Sequence, residues 1–396
     1  MSNSSCLRLM MIVCWLGSFL QAQPTLQQLW VRHDAHVMRG DPKPRVVDPA
    51  RSFTFKGKHG QTVRGWDVGD PQAPIVLWWQ GGPGLPADPE NDPINLADPK
   101  AYRHIEIDQP GTGQSDWIPG WKPEDTTEDA ITFLRLRGVT SPVIVCGWSW
   151  GSTMALLFAQ RHPAWVRGMV IGGIWANSSA EVRRYLDAKG PRSWVPGLSE
   201  AFSAFSTGVN SACDMHKAIR DGLGGSALAN AYARAEGIQC SQGRIPRETL
   251  FEPVPMTPPK PVDLVVERDE LIRFVYIESE MMCRGQRGEW KLRIRFPSEL
   301  ASVPLIVIQG RYDQVCDPEV ARRVYRAWPG TKKLFVPMNG GHVAFSGPSK
   351  DEYLRVGLKL TPDQEAQLAR ANRLHFGSPY IVGAAIDSLV HPDGKP

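Results

Sequence analysis

Hydrophobic residues in this chain fall into short unbroken runs separated by polar, glycine-rich stretches. The run Pro74-Ile75-Val76-Leu77-Trp78-Trp79 stops abruptly at Gln80-Gly81-Gly82-Pro83-Gly84. Apolar runs of this length read as strands buried on both faces. Further strands are predicted over 103–108, 142–146, 166–174, 304–308 and 333–337, with helical spacing over 127–136 and 153–161. Strand and helix alternate, so the expected fold class is α/β, a mostly parallel sheet flanked by helices.

The rhythm breaks after residue 174. About 120 residues pass before the strand pattern resumes, far too many for a plain connection. Helices are expected over 199–205, 227–236 and 264–280, interrupted by a proline-rich stretch at 253–261. Residues 176–297 are therefore read as an inserted helical cap, dividing a core of 23–175 from its second part and tail, 298–396. An amphipathic helix is predicted in the tail at 361–373.

With 396 residues, 42% of them hydrophobic, the chain has ample material for one large core plus an insertion. The formal charge of +4 is small and the charges are interspersed, so no nucleic-acid or membrane-surface partner is implied. Residues 1–22 differ: Arg8, an apolar run and a small residue at Ala22 form the pattern of a signal peptide. The expectation is export to a periplasmic or extracellular space, or the cytoplasm if the segment is a buried N-terminal helix rather than a signal peptide. The run is too short for a stable bilayer anchor. In an exported chain Cys213 and Cys240, which flank a helical stretch of the insertion, are the expected disulfide, with Cys283 the remaining cysteine of that segment. No Cys or His cluster has zinc spacing, and neither metal nor organic cofactor is expected.

The sharpest chemical signal is Gly147-Trp148-Ser149-Trp150-Gly151, placed directly after a buried strand and directly before a helix. That turn is tight enough to hold the serine hydroxyl above the sheet at a helix N-terminus. Serine alone is a poor nucleophile and needs a base and an orienting acid further along the chain. Asp313 follows the strand at 304–308 and His342 follows the strand at 333–337, in the order Ser, Asp, His. The expected catalytic set is Ser149, Asp313 and His342. For the oxyanion, Trp150 N–H is one expected donor, and Gly82 or Gly81 supplies the other from the loop after the first strong strand.

These segments together resemble the prolyl iminopeptidases. Gln80-Gly81-Gly82-Pro83-Gly84 resembles the family's His-Gly-Gly-Pro-Gly, and Asp108-Gln109-Pro110-Gly111-Thr112-Gly113-Gln114-Ser115 resembles its Asp-Gln-Arg-Gly-x-Gly-x-Ser. Gly147-Trp148-Ser149-Trp150-Gly151-Ser152-Thr153 is similar to its Gly-Gly-Ser-Trp-Gly-Ser-Thr, and Gly310-Arg311-Tyr312-Asp313 and Gly340-Gly341-His342 match its remaining motifs. The resemblance implies an α/β-hydrolase fold and a serine aminopeptidase that releases an N-terminal residue, usually proline, from a short peptide with a free amino end. It further implies two cap glutamates that receive the substrate ammonium: Glu278, from Tyr276-Ile277-Glu278-Ser279-Glu280, and Glu236, from Ala235-Glu236-Gly237.

The chain departs from the family at Gln80, Pro110, Met281, Met282 and Gly172, the last standing where the family has arginine. These departures surround the pocket. A carboxylesterase or amidase with an altered cap is therefore a second expectation, and a non-catalytic binding protein of the same fold a third.

Overall fold

The structure is a computed structural model that describes residues 51–89, 102–186, 211–222, 261–264, 267, 269–336, 341–342 and 379–390, with isolated positions between 228 and 240. The expected leader, the helices at 199–205 and 361–373 and the proline-rich stretch lie outside the described residues, as does much of 227–236.

The strands are β1 (Ser52–Lys56), β2 (Thr62–Val68), β3 (Ile75–Trp79), β4 (Arg103–Ile107), β5 (Val143–Trp148), β6 (Val166–Gly172), β7 (Leu305–Ile308) and β8 (Lys332–Phe335). They form one sheet in the order β1-β2-β4-β3-β5-β6-β7-β8. From β4 onward every pairing is parallel, whereas β1 with β2 and β2 with β4 are antiparallel. The α/β expectation therefore holds, with an antiparallel edge added.

The helices are α1 (Pro123–Leu136), α2 (Trp150–Arg161), α3 (Ser179–Leu186), α4 (Ala212–Arg220), α5 (Glu270–Gln286), α6 (Pro318–Ala327) and α7 (Pro379–Val390). Successive strand residues face opposite sides, so an unbroken apolar run feeds two cores. Leu77 and Trp79 join Phe133 and Leu134 of α1 and Met154 and Phe158 of α2 on one face. Val76 and Trp78 join Val382, Ala385 and Ile386 of α7 on the other. A fully buried aliphatic or aromatic side chain of this kind contributes about 1.5–3 kcal/mol. No helix among the described residues is long and apolar enough to cross a membrane.

Between β6 and β7 lie α3, α4 and α5. α4 and α5 build a separate apolar cluster from Met215, Ile219, Ile272 and Val275. α5 starts at Glu270, six residues later than the periodicity suggests, because Asp269 caps it by accepting from Leu271 N and Ile272 N at 3.0 and 3.2 Å. The expected Cys213–Cys240 pairing is corrected here. Cys213 is bonded to Cys283, joining α4 to α5, and Cys240 is a free thiol. The two helices lie side by side, bringing those Cα atoms to 4.5 Å across 70 residues of sequence.

Register places the site. Trp148 aligns with Gly172, Gly172 with Ile308, and Ile308 with Phe335. Ser149, Gly173 and the loop carrying Asp313 thus leave the sheet at one carboxyl edge, where open α/β sheets carry their ligand sites, and His342 lies beside Asp313 there.

Candidate active site

Ser149 sits between β5 and α2 with φ 57° and ψ −128°, a backbone conformation that L residues avoid. Its N–H donates to Gly172 O at 3.0 Å. The flanking glycines are required by contact. A Cβ on Gly151 would lie 1.9 Å from Trp79 O, and one on Gly147 would lie 2.3 Å from Gly151 O. Ser152 Oγ donates to Gly147 O at 2.9 Å, and Thr153 Oγ1 donates to Trp175 O, fastening the first turn of α2 to β5 and to the segment after β6.

His342 Nδ1 lies 3.1 and 3.2 Å from the two Asp313 carboxylate oxygens, and both residues are buried. Asp313 is oriented in turn by Val315 N and Cys316 N, which donate to Oδ1 at 2.9 and 2.8 Å, and by Gln309 Nε2, which donates to Oδ2 at 2.9 Å. Burial alone would push His342 down, but the adjacent Asp313 carboxylate holds it above the ordinary histidine value. With Nδ1 turned toward Asp313, Nε2 is the ring nitrogen left for other work.

Trp150 begins α2, where the helix has backbone N–H groups without intrahelical partners. A Cβ on Gly81 would lie 3.6 Å from Ser149 Cβ, so the loop after β3 runs directly past the serine. Gln109 ties these parts together. Its Oε1 accepts from Trp150 Nε1 at 2.9 Å and its Nε2 donates to Gln80 O at 3.1 Å. Asp108 stabilises the same loop, accepting from Ala87 N at 2.8 Å and Gln114 N at 3.0 Å; burial pushes its carboxyl up to about 6.

Glu278 lies on α5, buried, and its carboxyl interacts with that of the partly buried Glu236. Burial first, then the Glu236 carboxylate, raises Glu278 well above the ordinary range; Glu236 is raised by burial and lowered in part by Glu278 and by His342. Tyr232 adds a hydroxyl to the pair. The two glutamates and His342 therefore share one electrostatic neighbourhood. Met281 and Met282 are packed in the core, with Tyr232 Oη donating to Met282 Sδ at 3.6 Å. An open cavity of about 490 Å³ bordered by His59, Gln61, Trp117 and Arg273 contains none of the expected site residues.

Sequence reasoning missed three participants. Cys316 lies with Asp313 and His342 and its thiol meets the Ser149 hydroxyl. Trp148 donates its indole N–H to His342 O at 2.8 Å, and Gln109 bridges two loops. Cys316 stands only three residues after Asp313, which was a usable signal. Nothing in the chain pattern announces the other two.

A family model described as alpha/beta hydrolase fold matches residues 74–347. Among curated relatives, a proline iminopeptidase of Arabidopsis thaliana is 25% identical over 314 residues, covering 75% of this chain and 76% of its own. One from Neisseria gonorrhoeae is 27% identical over 310 residues, covering 75% and 91%. A third, from Xanthomonas citri, is 27% identical over 322 residues, covering 78% and 96%. The chain belongs to the α/β-hydrolase-fold family, and within that fold it is similar to curated proline iminopeptidases over about three quarters of its length.

Proposed function

We propose that this protein is a serine aminopeptidase that releases an N-terminal residue, preferentially proline, from short peptides. The observation that carries the reading is the pairing of Glu236 with Glu278 beside the Asp313–His342 pair. Two neighbouring carboxyl groups, both raised by burial and one of them, Glu278, raised further by its neighbour, are costly unless a cation joins them. Glu278 Oε2 has no hydrogen-bond partner among the described residues. An α-ammonium group supplies both the charge and the donors.

In this reading His342 Nε2 takes the Ser149 proton as Oγ attacks the scissile carbonyl, forming a C–O bond. Asp313 holds the ring tautomer and stabilises the imidazolium. Trp150 N–H and a Gly81 or Gly82 N–H receive the oxyanion, and His342 then protonates the departing amine as the C–N bond breaks. Water repeats the cycle on the acyl-enzyme and releases the amino acid. Residues 176–297 act as a cap that admits short chains. The Cys213–Cys283 disulfide supports a reading in which the leader directs export, since disulfides persist in oxidising compartments.

The test compares proline 4-nitroanilide with its N-acetylated form on the wild type and on Glu278→Gln. Rapid hydrolysis of the free amine, a large loss on acetylation and a similar loss in the variant are expected. Equal rates for free and blocked substrates would reassign the protein as an esterase or amidase. Labelling by a fluorophosphonate, lost in Ser149→Ala, tests the nucleophile; no labelling would leave a binding protein.

A further inference from the structure

We propose that Asp313, Cys316 and His342 form an inhibitory site for a divalent cation of the zinc class, seated on the reacting groups themselves. One donor atom from each lies within 4.8 Å of the others, and all three residues are buried. A carboxylate oxygen, a sulfur and an imidazole nitrogen form the mixed set that suits zinc rather than magnesium or calcium. Zinc bonds of about 2.0–2.3 Å hold neighbouring tetrahedral donors about 3.3–3.8 Å apart. The hydrogen-bonded 3.1–3.2 Å between His342 Nδ1 and Asp313 needs to widen by only a few tenths of an ångström to reach that spacing when the ion replaces the proton. Asp313 is held in place by three donors from Gln309, Val315 and Cys316, the kind of outer support that orients a metal-binding carboxylate. The fourth position falls to the Ser149 hydroxyl, which meets the Cys316 thiol, or to water.

The charges balance. One carboxylate and one thiolate neutralise the cation, and the thiol proton goes to solvent. Bound at His342 Nδ1, the cation forces the ring proton onto Nε2; bound at Nε2, it uses that lone pair directly. Either way the imidazole no longer accepts the serine proton. The binding arm of this inference is independent of the aminopeptidase reading, and the inhibition arm rests only on its serine chemistry.

Untagged full-length protein titrated with zinc chloride against a chelating dye is expected to take up one ion per chain. Titrated with Co²⁺, it is expected to develop a sulfur-to-cobalt charge-transfer band. Cys316→Ser is expected to lose the band and to weaken zinc binding by more than the ~10–100-fold that loss of an outer-shell partner causes, while Cys146→Ser and Cys240→Ser leave both unchanged. Zinc is expected to slow 4-nitrophenyl acetate hydrolysis by the wild type, reversibly with EDTA, and not by Cys316→Ser. Three results overturn the proposal: no cobalt band on folded wild type, a band that disappears in Cys240→Ser, or zinc inhibition undiminished in Cys316→Ser. Should Cys316→Ser fail to fold, the wild-type band and Cys240→Ser decide the question. A normal band alongside failed free-amine selectivity would remove the substrate reading alone.

Discussion

The indole N–H of Trp148 donates to the backbone carbonyl of His342 at 2.8 Å, joining positions 194 residues apart. One end of the Gly-x-Ser-x-Gly turn thereby fixes the loop that carries the histidine. The ring fits because residue 172 is glycine: a Cβ there would lie 2.2 Å from Trp148 Cζ3. Trp148 stands where the resembling family has glycine and Gly172 where it has arginine, so the two departures are sterically linked.

Trp148→Phe keeps most of the ring and removes the donor. With about 1 kcal/mol attached to a hydrogen bond of this kind, kcat is expected to fall about five- to tenfold while KM changes little. Steady-state kinetics on an aminoacyl nitroanilide measures this, and an unchanged kcat would show that the His342 loop needs no such tether.

Gly151→Ala is expected to prevent folding. The added methyl would meet the β3 carbonyl of Trp79 at 1.9 Å, backbone against backbone, where no side chain can move aside. Expression as soluble protein with wild-type melting temperature would contradict this.

His216 on α4 faces Ser279 of α5, its Nδ1 3.3 Å from Oγ, and its ring packs edge-on against Tyr276. Burial, followed by Arg220, lowers it to about 4. The unfolded chain therefore binds a proton near pH 6.5 that the folded chain refuses until about pH 4. Stability is complete at neutral pH and falls as pH drops through that window, by about 3 kcal/mol at its lower end. Melting temperatures at pH 7 and 4.5 should differ more for the wild type than for His216→Phe; equal differences would refute the assignment.

Reducing the Cys213–Cys283 bond opens a loop of 70 residues, worth about 4 kcal/mol by chain entropy. Thermal unfolding with and without a phosphine reductant, and of a Cys213→Ser/Cys283→Ser double variant, should show the loss in both. A melting temperature indifferent to reductant would indicate that α4 and α5 hold together through Met215, Ile219, Ile272 and Val275 alone.

The central parallel strands were legible because burial on both faces leaves unbroken apolar runs such as Val76 to Trp79. Ser149 and Asp313 could be nominated because each follows such a strand, whereas His342 follows β8, an edge strand that begins with the unburied Lys332 and Lys333. β1 escaped notice because it buries little, Phe53 and Phe55 alone turning toward the core, and β2 because its buried positions alternate and include Gly65 and Asp67, leaving no apolar run. Helix starts were legible in principle, from Pro123 at the head of α1 and Asp269 before α5, but hydrophobic periodicity alone placed them wrongly. The disulfide was not legible, because pairing depends on which helices pack together, and Cys240 was nearer in sequence than Cys283.

Gln109 has a wider consequence. Because its single amide spans Trp150 and Gln80, neither the helix end nor the glycine loop can shift without dragging the other. On the function proposed above, the segment between β6 and β7 can be remodelled for a different substrate while the spacing between Ser149 and the glycine loop stays fixed. Diversity in such a scaffold should accumulate above the sheet edge and be scarce at that amide.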